Sequence, residues 1–175
     1  MRMMVKVRRT ATAAAAFLLA FGGMSALTVG PAYAEDYACT SYQDKTFSTP
    51  GSDVEVSIKL CIEHYSEGGY EASAYYKWSG SGGTDLDDNR KFDRFDLQVR
   101  VEQHDPDIGD IIQASRVCDV RYDINTSGDG SGFCQKWYSH SRALTWSADG
   151  TVTYDIDRDG EGAYTWNLGG SPQID

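Results

Sequence analysis

Residues 54–64 read VEVSIKLCIEH, and their parity decides the fold. Val54, Val56, Ile58, Leu60 and Ile62 take every second position, and Glu55, Ser57, Lys59 and Glu63 take the others. Period two sends successive side chains to opposite faces of an extended strand, whereas an amphipathic helix repeats every 3.6 residues. The stretch is therefore a strand with one dry face and one wet face. Cys61 falls on the wet side, which places it at a sheet edge, on an outer surface or at a bulge.

The same alternation recurs in both directions along the chain. In YEASAYYKW, residues 70–78, it aligns Tyr70, Ala72, Ala74, Tyr76 and Trp78. Over 92–104, Phe95, Leu97, Val99 and Val101 alternate with Asp96, Gln98, Arg100 and Glu102. Over 111–124, Ala114, Cys118, Val120, Tyr122 and Ile124 share a face. Strands are also expected at 133–141, 143–148, 151–156 and 163–168, which bring Trp146, Val152, Tyr154 and Trp166 into the core. Turn-forming clusters separate these runs, among them Ser127 to Gly132 and Asp157 to Gly162. Asp149-Gly150, set between two alternating runs, predicts a two-residue hairpin. Convincing helical periodicity is absent. The pattern predicts an all-β fold, an antiparallel β-sandwich or barrel of about 7–9 strands.

The start of the chain has a different grammar. Arg2, Lys6, Arg8 and Arg9 precede an alanine-rich apolar stretch that ends in Ala32-Tyr33-Ala34. A basic start, an apolar run and a small-x-small site make a secretory signal peptide over residues 1–34, removed on export. Residues 35–175 then form a single β-domain. Losing four basic residues takes the formal net charge from −10 to −14. Such acidity disfavours nucleic acid and anionic membrane surfaces, which attract basic patches. Cys39, Cys61, Cys118 and Cys134 all lie in the exported part. An even count in an oxidising compartment reads as two disulfides. Cys39–Cys61 and Cys118–Cys134 each close a short loop between neighbouring strands. The expected location is extracellular.

ADGTVTYDIDRDGEGAYTWNLGGSP, residues 148–172, resembles the C-terminal end of small secreted proteins of actinobacteria. The resemblance implies export and a β-fold, and carries no activity.

Three kinds of chemistry merit a place. TYDIDRDGEG, residues 153–162, spaces Asp155, Asp157 and Asp159 ahead of Gly160, as a calcium loop does. Asp123, Asn125 and Ser127 make a looser copy, and Asp85, Asp87 and Asn89 a fragment of one. The twelfth position of the first two is Trp166 or Cys134 rather than glutamate, so neither is an EF-hand. A weak calcium site at the tip of a hairpin is the expectation; no other cofactor is expected. Tyr65, Tyr75 and Tyr138 fall on polar strand faces, where exposed rings stack on sugars or meet a protein. For catalysis there is no G-x-S-x-G elbow. His64, His104 and His140 read as surface histidines, and with 26 acids any carboxylate pair is uninformative. The sequence reads as a secreted non-catalytic β-sandwich module. The alternatives are a carbohydrate-binding module and a secreted protein inhibitor, whose partner would be an extracellular glycan or protein. Peptide mapping of the mature protein under non-reducing conditions should return Cys39–Cys61 and Cys118–Cys134 peptides. A Cys39–Cys118 peptide would force another strand order.

Overall fold

The computed structural model describes residues 37–66, 68–80, 90–139 and 144–175. The leader, the Asp85-x-Asp87-x-Asn89 fragment and His140 lie outside the described residues. Among the described residues the strands are β1 (Tyr37–Cys39), β2 (Gln43–Phe47), β3 (Val54–His64), β4 (Tyr70–Gly80), β5 (Phe92–Asp105), β6 (Gly109–Asp119), β7 (Asp129–Tyr138), β8 (Thr145–Ile156) and β9 (Tyr164–Asn167). One helical turn, α1 (Arg121–Thr126), links β6 to β7.

The strands make two antiparallel sheets, a sandwich and not a closed barrel. In the five-stranded sheet, β1 and β2 lie end to end along one side of β3, and β4 and β7 follow on the other. The four-stranded sheet runs β6-β5-β8-β9. The dry faces read from the sequence form the interior: Val56, Ile58, Leu60 and Ile62 of β3 and Leu97, Val99 and Val101 of β5 are completely buried. Aromatic rings fill the space between the sheets. Phe47 packs edge-on to Phe92, Phe95 and Tyr154, and Tyr70 stacks on Trp146 with 4.4 Å between centroids.

Both disulfides are as expected. Cys39 and Cys61 face each other directly across β1 and β3. The bridge lies on the outer side of the sheet, where Tyr37 covers it and donates its hydroxyl to Cys61 Sγ at 3.3 Å. Cys118–Cys134 is different in kind, because it joins β6 of one sheet to β7 of the other.

The structure corrects four readings. Asp149-Gly150 is not a hairpin: β8 runs unbroken from Thr145 to Ile156. Gly150 is there for close packing, since a Cβ would sit 2.6 Å from the Gln98 carbonyl oxygen of β5. Residues 129–132 are strand rather than turn. Gly130 and Gly132 lie opposite Trp78 and Tyr76, whose rings cover them so closely that a Cβ would come within 2.3 and 2.4 Å. The strand expected through residue 124 stops at Asp119, and α1 leaves Tyr122 72% exposed while Ile124 is buried. Finally, Trp146 is fully buried, but Trp166 is only partly buried against the core. Trp146→Ala should therefore cost about 3–5 kcal/mol through the cavity it leaves, and Trp166→Ala less. Thermal melts of the two variants rank them.

Candidate functional site

Parity assigns each sheet an outer face, and the two differ sharply. On the four-stranded sheet the outer face is a mesh of matched charges. Arg100 lies between two acids, with Nε 2.7 Å from Glu102 Oε1 and Nη2 3.1 Å from Asp149 Oδ2. Arg94 pairs with Asp96 at 2.7 Å, and the Thr151 hydroxyl donates to Gln98.

The outer face of the five-stranded sheet is aromatic. The register builds it row by row across the strands. Lys59 of β3 lies opposite Tyr75 of β4, which lies opposite Phe133 of β7. Tyr42, from the link between β1 and β2, joins this row. Its ring receives Lys77 Nζ at 4.5 Å and Lys59 Nζ at 5.6 Å, and Lys59 also lies 5.2 Å from the Tyr75 ring. Two rows along come Tyr37, Glu63, Glu71 and Trp137. Between the rows lie Cys61, Ser73 and Gln135. Phe133 is 61% exposed and Trp137 50%, against a usual preference of such rings for the interior. Tyr75 and Phe133 stand 6.5 Å apart and are inclined at 46°, so they form a stepped row rather than one flat platform.

The residues singled out in the sequence meet different fates. Tyr65 and Tyr75 are exposed on this side of the molecule. Tyr65 donates toward Glu63 and Glu71, both at 3.4 Å. Partial burial and those two carboxylates push its phenol up to about 12. Tyr138 does not lie on this outer face. It lies opposite Tyr70 on the inner face, packs on Trp146 and donates to Gln113 Oε1 at 3.2 Å. Its neighbours Phe133 and Trp137 point outward in its place, and the sequence reading passed over both.

The acidic loops are used structurally. β8 and β9 form the expected hairpin, which reverses between Ile156 and Tyr164. Asp157 is buried at 7% exposure, with Arg90 at 3.7 Å and Arg158 at 3.5 Å from its carboxylate. Asp159 accepts the Glu161 N–H within its own turn, and Asp155 pairs in register with Arg94. Asn125 grips β5: its Oδ1 accepts the N–H groups of Lys91 and Phe92, and its Nδ2 donates to the Phe92 carbonyl. The Ser127 hydroxyl donates to the Asp123 carbonyl inside α1. Among the described residues no three His, Cys, Asp or Glu side chains are grouped to hold a metal ion.

His64 stacks on Tyr70. His104 shares a hydrogen bond with Asp110 at 2.9 Å beside an apolar recess lined by Pro106, Leu144 and Thr145. Among the described residues no hydroxyl donates to His104. No protein-family model, curated protein or solved structure matches this chain.

The matched-charge face supplies a pH test. Burial pushes the Glu102 carboxyl up, against the pull of the Arg100 hydrogen bond. A raised carboxyl stabilises the fold below its ordinary value near 4.5, and that stability is lost as pH rises through the raised value. Glu102→Gln should therefore gain in melting temperature relative to the parent as pH rises from about 4 to 7. Parallel pH-dependent melts that keep a constant difference would exclude this titration.

Proposed function

We propose that the chain is an exported, non-catalytic module that binds single glycan chains through the outer face of its five-stranded sheet. The observation that carries this reading is the stepped aromatic row Tyr42, Tyr75 and Phe133, interleaved with Lys59 and Lys77. A sugar ring offers apolar C–H faces to aromatic rings and hydroxyls to charged neighbours, so it suits a surface where the two alternate. The centre of a protein–protein interface is depleted of charge, whereas Lys59, Glu63 and Glu71 stand on the middle strands here. That distribution weighs against the inhibitor reading. The 46° incline favours a twisted soluble chain over a flat crystalline surface.

Export has its own support. The leader pattern and two disulfides with no free cysteine suit an oxidising compartment. Among the described residues no helix is long and apolar enough to cross a membrane.

Electrophoresis of the mature protein through gels containing soluble polysaccharides tests the reading. At least one polysaccharide should retard it. Tyr75→Ala and Phe133→Ala should each weaken retention about fivefold or more, as the loss of a contact worth about 1 kcal/mol does. Their melting temperatures should stay near that of the parent, since both rings are exposed. Free migration in every gel, or retention indifferent to both rings, would sink the proposal.

A further inference from the structure

Accepting the glycan reading, we infer that the ligand carries protonated amines, and that one of them sits in the row Tyr37, Glu63, Glu71 and Trp137. This row sets two carboxylates side by side. Glu63 and Glu71 lie directly opposite each other on β3 and β4. Like charges in that relation destabilise a sheet, yet among the described residues no cation is paired with either of them. Among the described residues neither carboxylate has an ion pair. The Tyr65 hydroxyl, at 3.4 Å from each, has one proton to share between them, and the Ser73 hydroxyl reaches Glu71 alone. Lys59 and Lys77 are turned elsewhere, over the Tyr42 and Tyr75 rings. On the opposite face, by contrast, Arg100 stands between Glu102 and Asp149.

Two exposed rings frame the uncompensated pair. Tyr37 adjoins Glu63 and Trp137 adjoins Glu71. The Trp137 ring lies over Gly69, where a Cβ would come within 2.8 Å of it, so backbone supports one side of the indole. A cation beside aromatic faces gains from the ring quadrupole, and here it also relieves the carboxylate repulsion. Quaternary or primary ammonium groups fit this chemistry. On a surface that already offers sugar-stacking rings two rows away, the matching ligand is a polymer of amino sugars with free amines. Anionic glycans meet the wrong sign, both here and across a mature domain of charge −14.

Calorimetry with three soluble oligosaccharides of equal length tests the inference: a glucosamine oligomer, its fully N-acetylated form and a glucose oligomer. At mildly acidic pH the glucosamine oligomer should bind about tenfold or more tighter than the acetylated one. The gap should close as pH rises and the amines lose their protons. Glu63→Gln with Glu71→Gln should abolish the gap. Asp107→Asn with Asp175→Asn changes the net charge equally at exposed positions away from the row, and should preserve the gap. Each single Glu→Gln variant should also melt above the parent, because repulsion is relieved in the unliganded protein. Equal or tighter binding of the acetylated or glucose oligomer overturns the amine preference while leaving the glycan reading intact. Loss of the gap in the Asp107/Asp175 control overturns it too, by showing general charge attraction. If no oligosaccharide binds, both readings fall. Binding of a lysine-rich peptide in that case would assign the row to a protein partner.

Discussion

The Cys118–Cys134 bond sets the sidedness of the whole molecule. It joins the edge strand β6 of one sheet to the edge strand β7 of the other, so both sulfurs must point between the sheets. Parity does the rest. With Cys134 inward, Gly130, Gly132 and Tyr138 are inward as well, and Phe133 and Trp137 are outward. The glycines accept the rings of Trp78 and Tyr76, and Tyr138 closes over Trp146. A slip of one residue in β7 would exchange the two sets. The exposed aromatic face would then lose its rings on this strand, and the core would gain a tryptophan where it has room for none.

On the far side the sandwich is joined without covalent bonds. The Gln43 side chain reads the backbone of Gly169 as a strand would: its Nε2 donates to the carbonyl at 2.9 Å and its Oε1 accepts the N–H at 2.6 Å. Lys45 donates to the Tyr154 hydroxyl at 2.8 Å, with its ammonium over the Phe47, Tyr154 and Trp166 rings. These contacts tie β2 to β8, β9 and the segment after β9. The aromatic outer face is thus borne on a sheet pinned along both sides. Its exposed side chains therefore keep their spacing, and a ligand need not pay to order the strands beneath them.

Much of this was legible in the sequence because period two carries so much information. The buried faces of β3, β4 and β5 follow from alternation alone. Both disulfide pairs follow from short-loop closure. What escaped depended on partners distant in sequence. Asp149-Gly150 has the composition of a tight turn, but the need for a bare Cα beside Gln98 is visible only once β5 is alongside. Strands β1 and β2 have little apolar alternation of their own, since they form an edge, and Phe47 is the one residue of β2 that is fully inside. The acidic triplets resembled ligand sets because turns and cation loops use the same residues. In the structure Asp157 has Arg90, well upstream in sequence, beside it. The placement of Tyr138 could have been read correctly. Cys118 belonged to a core face and pairs with Cys134, which forces the parity of residue 138.

The short outer strands also bear on what happens when many copies crowd together. A sheet edge with a long row of unpaired N–H and C=O groups invites another chain to add to it. Here the β3 flank is capped by two separate pieces of three and five residues. β9 is four residues long, and the chain beyond it returns to β8 through Leu168, Ser171 and Ile174. The pairing of the long edge strand β6 with β5 shifts register between Val101 and Glu102, and β7 is joined to β6 by the disulfide. A module that gathers on a polymer, as proposed above, would reach high local concentrations. Short, irregular and occupied edges would let it do so without seeding cross-strand aggregation.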